Sequence, residues 1–218
     1  MNLSAFRLPF LLLALACSAT PPALAQANPD PAAIRKELED MRQDDQRLRN
    51  EEISARIKAR EANRPVDAEA ARALSERIGV VDFGNQVRLD ALVARIGWPG
   101  QIAYGSEAAL GAFMIVQHAE LDYQLKYLPL LRTAADQGEI AKSWLAVLED
   151  RILIRQDKPQ RYGSQVDTAN GVNLRPVEDE ARLDQRRSDM GLEPICTYLA
   201  RFEARAGKVT YPKCAVPK

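Results

Sequence analysis

The chain has 218 residues, and its 30 lysine and arginine residues balance its 30 aspartate and glutamate residues, so the formal net charge is zero. This balance argues against non-specific binding to nucleic acid or to an anionic membrane surface, and no nucleic-acid partner is predicted. The length suits one domain with a substantial apolar core. The chain contains one histidine, which disfavours a zinc site, and the sequence predicts no metal and no cofactor.

Residues 1–25 have the pattern of a secretory signal peptide. Arg7 supplies a positive charge, an apolar segment follows from Leu8 to Ala19, and Ala23-Leu24-Ala25 is an A-x-A cleavage site. We therefore predict cleavage after Ala25 and a periplasmic or secreted protein. The apolar segment is shorter than the roughly 20 residues that span a bilayer. Lipid attachment at Cys17 is a less favoured alternative, because Ala14 stands where a lipoprotein has leucine.

Two cysteines, Cys196 and Cys214, remain after the predicted cleavage. An even pair of cysteines in an exported protein predicts a disulfide, which would hold the C-terminal tail on the final helix. The alternative is two free thiols, which the predicted export disfavours.

Residues 26–80 are predicted to form a charged N-terminal helical region. Asp30-Pro31 is typical of a helix start, and an apolar stripe continues to about Asn63. Asp45 and Glu52 interrupt this stripe, which indicates a peripheral helix or an extended arm. A second, alanine-rich helix is predicted over 67–78, with Gly79 ending it.

Residues 81–218 are predicted to form the helical core domain. Asn170-Gly171 lies between two short segments of strand type and predicts a β-hairpin at about 161–176. The predicted fold is mainly α, an orthogonal helical bundle with one small β-hairpin insert and a C-terminal disulfide. Helices are expected over 85–96, 106–118, 123–135, 140–156, 178–190 and 194–206.

The segment from Val116 to Gln124 contains the candidate catalytic residues. On one continuous helix, His118 and Asp122 would share a face, so that Asp122 fixes the tautomer of His118 and His118 acts as a general base. Glu120 is the third candidate, because a pair of carboxylates such as Glu120 and Asp150 can cleave a glycan. The alternative is a structural histidine whose ring donates to a carbonyl group.

Arginine, amide and tyrosine side chains further along the chain are candidates for binding an anionic ligand. Guanidinium groups bind carboxylate or phosphate through a bidentate fork, and Gly163 lets the backbone approach a ligand. The alternative is that nearby carboxylates pair with each arginine and that these residues fix the bundle's geometry. The candidate ligand-binding residues are Gln117, Arg151, Arg155, Tyr162, Gln165 and Arg186.

Several phrases of the sequence resemble the bacterial family called domain of unknown function 6624, over roughly residues 82–206. Glu120 stands where this family is expected to have aspartate, and Ser164 where it has threonine; both keep the functional group. The resemblance implies no activity. The phrases are Gly97-Trp98-Pro99, Val116-Gln117-His118-Ala119-Glu120-Leu121-Asp122, Leu128-Pro129-Leu130-Leu131, Asp150-Arg151, Pro159-Gln160-Arg161-Tyr162-Gly163-Ser164-Gln165, Pro176-Val177-Glu178-Asp179 and Asp184-Gln185-Arg186-Arg187.

The sequence therefore predicts an exported protein of unknown activity with a polar pocket for a small anionic or peptide-like ligand. A hydrolase that uses His118 and Asp122 is one form of this prediction. The alternative is a non-catalytic envelope protein that docks on another protein through its N-terminal helix. The expected partner is thus a small molecule or an envelope protein.

Overall fold

The computed structural model describes residues 30–168 and 171–214. The predicted signal peptide, Cys17 and Asn170 lie outside the described residues. The helices are α1 (Pro31–Glu61), α2 (Ala68–Ile96), α3 (Gln101–Tyr104), α4 (Ser106–His118), α5 (Leu121–Asp136), α6 (Lys142–Arg155), α7 (Leu183–Asp189), α8 (Ile195–Ala200) and α9 (Glu203–Ala206). The strands are β1 (Val166–Asp167) and β2 (Asn173–Leu174), and short 3-10 turns lie at Glu180–Arg182 and Pro212–Cys214.

The first helix begins where the sequence predicts. The carboxylate of Asp30 accepts a hydrogen bond from the backbone N–H of Ala32 at 2.9 Å, and a proline at the next position fits a first helical turn. The first half of α1 is not a peripheral arm, because Ile34, Leu38 and Met41 are buried in the main apolar cluster of the protein. The apolar stripe that they form packs against the other helices of the bundle. Only the second half of α1 is largely exposed.

The second helix is longer than predicted. Asp67 caps it, accepting from the backbone N–H of Ala70 at 2.8 Å, but Gly79 lies inside the helix and does not end it. One glycine costs a helix only about 1 kcal/mol relative to alanine, and the burial of Leu89 and Leu92 outweighs that cost. The helix runs through residue 80, so the two predicted regions share one helix.

The fourth helix lies at the centre of the bundle. Ala109, Ala112 and Val116 are fully buried, as the run of apolar residues predicts. Gly111 is required where α4 meets α1, because a Cβ atom at this position would lie 2.7 Å from the carbonyl oxygen of Leu38. Helix α5 runs through Pro129 and packs on α6.

The C-terminal part of the chain packs around the hairpin and the disulfide. Val166 pairs with Leu174 in the antiparallel hairpin, which is shorter than predicted. The predicted disulfide is present between Cys196 and Cys214, with the two Cα atoms 5.2 Å apart. The predicted last helix is divided into α8 and α9, and the one before it begins only at Leu183. The mainly helical fold with one hairpin and a C-terminal disulfide is confirmed.

Candidate functional site

The carboxylate that contacts His118 comes from α1. The Nδ1 atom of His118 lies 2.8 Å and 3.0 Å from the two carboxylate oxygens of Asp45. Asp45 is 3% exposed, whereas the His118 side chain is 15% exposed and so reaches the surface. The pair is formed because Asp45 lies on the buried face of α1, one turn beyond Met41, where α1 packs on α4.

Arg49 and Asp82 extend this pair into a network across three helices. The Nε atom of Arg49 lies 2.9 Å from an oxygen of Asp45 and 2.8 Å from Nδ1 of His118. Its Nη2 atom donates to both oxygens of Asp82 at 2.7 Å and 2.8 Å. Nδ1 thus faces both the carboxylate of Asp45 and the Nε–H group of Arg49, and it accepts from Arg49 in the tautomer that has no proton on Nδ1. In the tautomer with a proton on Nδ1, this N–H group donates to Asp45, and Arg49 donates to Asp45 alone. Nε2 is then the ring nitrogen that can accept a proton.

Electrostatics favours the charged form of Asp45. Burial raises the pKa of Asp45, but the hydrogen bond and charge of His118 and the charge of Arg49 outweigh burial and leave the pKa below its ordinary value. Asp82 shows the opposite balance, because burial raises its pKa more than Arg49 lowers it, and the charge of Asp45 raises it further. Both carboxylates contact the guanidinium of Arg49, but the ionised form is favoured at Asp45 and disfavoured at Asp82.

Two arginines of α6 lie beside this network. Arg151 and Arg155 are four residues apart and so share one face of the helix. Burial lowers the pKa of Arg151, and the charges of Arg155 and Arg49 lower it further. Among the described residues, no carboxylate lies within 4.0 Å of the guanidinium of Arg151 or Arg155. The ion pairs of this region are formed by Arg49 and His118. The site therefore has an excess of positive charge.

Backbone and amide oxygens provide the contacts that these two arginines do make. Arg155 donates through Nη1 to the carbonyl oxygen of Ala119, at the end of α4. With the Gln117 amide turned so that its oxygen faces α6, this oxygen accepts from Nε of Arg151 at 2.7 Å and from Nη2 at 3.3 Å. Gln117 is buried and so fixes the position of Arg151. Gln117, His118, Arg151 and Arg155, all predicted as site residues, are brought together.

The predicted pairing of His118 with Asp122 is wrong. Helix α4 ends at His118 and α5 begins at Leu121, with extended backbone at Ala119 and Glu120, so His118 and Asp122 do not share a helix face. Both Glu120 and Asp122 are exposed. Their catalytic roles remain predictions, and Asp45 occupies the place beside the imidazole that was expected of Asp122.

Tyr162 and Gln165 lie in a loop that a buried carboxylate organises. Asp150 is fully buried and accepts from the backbone N–H groups of Arg161 at 2.7 Å, Tyr162 at 3.0 Å and Ser164 at 2.8 Å. Burial raises the pKa of Asp150, and these hydrogen bonds oppose the rise. The side chain of Gln165 donates to the carbonyl oxygen of Val147, one turn before Arg151 on α6, at 3.4 Å. Gln165 thus lies against α6, and its role in ligand binding remains a prediction.

Arg186 makes contacts of a structural kind. It donates to the backbone carbonyl oxygens of Arg161, Asp179 and Glu178 at 2.8, 3.0 and 2.5 Å. These contacts favour a role in holding the loop, and ligand binding by Arg186 remains a prediction. Its neighbour Arg187, which is fully buried, donates to the carbonyl oxygens of Glu193 and Tyr162.

Sequence reasoning missed Asp45, Arg49 and Asp82. One indication was present, because Asp45 interrupts an apolar stripe, and a carboxylate on a buried helix face needs a charged or hydrogen-bonding partner. The identity of that partner was not accessible, because His118 lies 73 residues further along the chain.

A cavity among the described residues lies away from this network. It measures 1250 Å³ and lies between the second half of α1 and the first half of α2, with Ala55, Ala59 and Leu74 among its lining residues. In the part of the chain that the structure describes, no group of three or more His, Cys, Asp and Glu side chains could hold a metal ion. No described helix is both long and apolar enough to traverse a lipid bilayer.

The family model described as "Family of unknown function (DUF6624)" matches residues 32–210, so the chain belongs to this family. No curated protein and no solved structure gives a match. The matched range includes all the residues of the Asp45–His118 network and both arginines of α6.

Proposed function

We propose that this member of the DUF6624 family binds a small anionic or peptide-like ligand through a carboxylate or phosphate group. The ligand site consists of the α6 arginines Arg151 and Arg155, with His118 and Gln117 beside them. One observation carries the proposal: among the described residues, neither of these two arginines has a carboxylate within ion-pair distance.

The charges of the region support an anion as the missing partner. Arg49 is neutralised by Asp45 and Asp82, which leaves the two α6 arginines uncompensated. Burial and mutual repulsion destabilise the charged form of Arg151. A bound carboxylate or phosphate would relieve both effects and accept bidentate hydrogen bonds.

The contacts of Arg151 favour recognition over a purely structural role. The oxygen of Gln117 accepts from Nε and Nη2 of Arg151 and so orients the guanidinium. The Nη1 atom of Arg151 has no hydrogen bond among the described residues. Within the described part of the chain, Arg155 donates a hydrogen bond through Nη1 alone. Several N–H groups of the two arginines are thus available to a ligand beside the His118 ring.

Acid–base chemistry at His118 is the finer form of the proposal. Asp45 orients the ring and fixes its tautomer, which is the role that the sequence suggested for Asp122. If the ligand is a peptide-like substrate, Nε2 of His118 takes a proton from water, and the water oxygen attacks the carbonyl carbon. An arginine of α6 then stabilises the negative oxygen that forms. The C–N bond breaks as this intermediate collapses to the carboxylic acid, and His118 gives the proton that it took from water to the leaving amine nitrogen. Export to the periplasm or the exterior is also part of the proposal, and the Cys196–Cys214 disulfide supports it.

Thermal unfolding with and without anions tests the binding proposal. Phosphate and an N-acetylated dipeptide with a free carboxylate serve as ligands, and the same dipeptide with a C-terminal amide serves as the uncharged control. A ligand that binds only the folded protein raises the melting temperature. We expect a rise with an anion that is absent in Arg151→Gln and retained in Arg72→Gln, where the arginine is exposed on α2. An equal rise in both variants would contradict the proposed site.

Docking on another protein is the second candidate function. Ile53 and Ile57, in the second half of α1, are 44% and 37% exposed, and the 1250 Å³ cavity begins on the same part of the helix. A photo-reactive residue at position 57 should then cross-link to another protein in intact cells, whereas one at position 102 should not. Equal cross-linking at both positions would argue against docking through α1.

A further inference from the structure

The outward face of α2 carries an apolar stripe that the described chain leaves uncovered. Val80, Phe83 and Val87 are 74%, 70% and 53% exposed, and their spacing of three and four residues places them on one helix face. Ala91, also exposed, extends the face by one turn. We call these four residues the α2 stripe. Large apolar residues grouped on a surface indicate an interaction site.

Two glycines flank the α2 stripe, and no contact among the described residues accounts for them. Gly79 and Gly84 lie within the helix, and a Cβ atom at either position would meet no atom within 4 Å. Each glycine costs the helix about 1 kcal/mol relative to alanine, and no close contact within the described residues requires it. Bare backbone on both sides of an apolar stripe would let a second helix approach closely.

The charges along α2 indicate what this second helix is. Asp82 and Arg88 pair with residues of α1, and Asp90 pairs with Lys126 of α5. By contrast, Glu76 and Arg95 are exposed at opposite ends of the stripe, and neither forms an ion pair with any residue that the structure describes. Their opposite charges make the face complementary to a copy of itself that runs in the opposite direction.

We propose that a second copy of this chain covers the α2 stripe, with the two α2 helices antiparallel about a two-fold axis. If the axis passes between residues 85 and 86, Val80 lies opposite the partner's Ala91, and Val87 lies opposite the partner's Gly84. The same register places Glu76 beside the partner's Arg95 at both ends. An isologous interface of this kind is what a two-fold homodimer requires.

Sedimentation equilibrium of the protein purified from cells that express the full chain tests the proposal. The expected mass is that of two chains at high concentration. Phe83→Glu should weaken the dimer by roughly tenfold or more, because it places two charges at the centre of the interface. Ile102→Glu is the matched control, because Ile102 is 73% exposed and lies outside α2. A monomer up to millimolar concentration, or a dimer that Phe83→Glu leaves intact, would overturn the proposal.

A charge exchange tests the antiparallel register independently of folding. Glu76→Arg and Arg95→Glu should each weaken the dimer, because each creates like charges at both ends of the interface. The double variant restores opposite charges and should recover the affinity of the wild type. If the double variant dimerises no better than either single variant, the antiparallel register is wrong. Because Glu76 and Arg95 are exposed, neither change is expected to affect folding of the monomer.

Discussion

Replacing Asp45 with asparagine should destabilise the protein by about 2–3 kcal/mol at neutral pH. Breaking a buried ion pair costs about 3–5 kcal/mol when the remaining charge is left without a partner. The cost should lie below that range, because Arg49 keeps Asp82 at 2.7 Å and 2.8 Å and asparagine retains one acceptor oxygen. Urea unfolding at a fixed protein concentration measures the difference.

The stability lost in Asp45→Asn should depend on pH in a defined direction. Because the folded-state pKa of Asp45 lies below its ordinary value, its ionised form contributes stability above the unfolded-state pKa of about 3.9. That contribution disappears as the pH falls through the folded-state pKa. The gap in stability between wild type and Asp45→Asn should therefore be complete at pH 7 and should narrow below about pH 4.

Asp44→Asn is the matched control for this prediction. Asp44 is the neighbouring residue, and its contact with Arg47 at 3.9 Å is exposed. Pairs of this kind contribute about 0–1 kcal/mol, so this variant should remain close to wild type at all pH values. A loss in Asp45→Asn no larger than in Asp44→Asn, or a gap that widens in acid, would refute the network around His118.

Four further changes have defined outcomes. Cys196→Ser should lower the free energy of unfolding by about 3 kcal/mol, measured in urea, and a reducing agent should then have no further effect. Asp150→Ala should cost about 3 kcal/mol or more, because three buried backbone N–H groups lose their acceptor; a loss near zero in urea would contradict the structural role of this carboxylate. Gly79→Ala should raise the stability of the monomer by about 0.5–1 kcal/mol, since its methyl group meets no atom of the described chain within 4 Å; a lower melting temperature at a concentration where the protein is monomeric would contradict this. Arg151→Gln should abolish anion binding, measured by calorimetry, and unchanged binding would refute the role of Arg151 in the anion site. The same change should lower stability by less than Asp45→Asn does, because the repulsion of Arg151 by Arg155 and Arg49 is removed together with the hydrogen bonds of Arg151.

Local sequence patterns predicted the parts of the fold that depend on local physics. Asp30 and Asp67 cap α1 and α2 as predicted, because an N-cap contact needs only residues that are two or three positions apart. The pairing of Cys196 with Cys214 followed from the predicted removal of Cys17 with the signal peptide, which leaves two cysteines in a protein predicted to be exported. The prediction that Gly79 ends the helix was wrong, because the energetic cost of one glycine is small compared with the free energy gained by burying the apolar residues of α2.

The candidate site was predicted only in part. His118, Arg151, Arg155 and Gln117 were identified from the types of residue and their positions along the chain. Asp45 was noted only as an interruption of a stripe, because spacing within one helix carries no information about which other helix will face it. The contact between α1 and α4 depends on tertiary packing, which brings residues 73 positions apart together.

The most direct test of the anion site uses the histidine itself. His118 is the only histidine in the chain, so in a protein without a histidine tag its ring gives one set of imidazole signals in a nitrogen-15 NMR spectrum. We predict a proton on Nδ1, and signals that shift when phosphate or the N-acetylated dipeptide is added. The shift should be lost in Arg151→Gln and kept in Arg72→Gln. Signals that ignore both anions, or that respond equally in the two variants, would contradict an anion site beside His118.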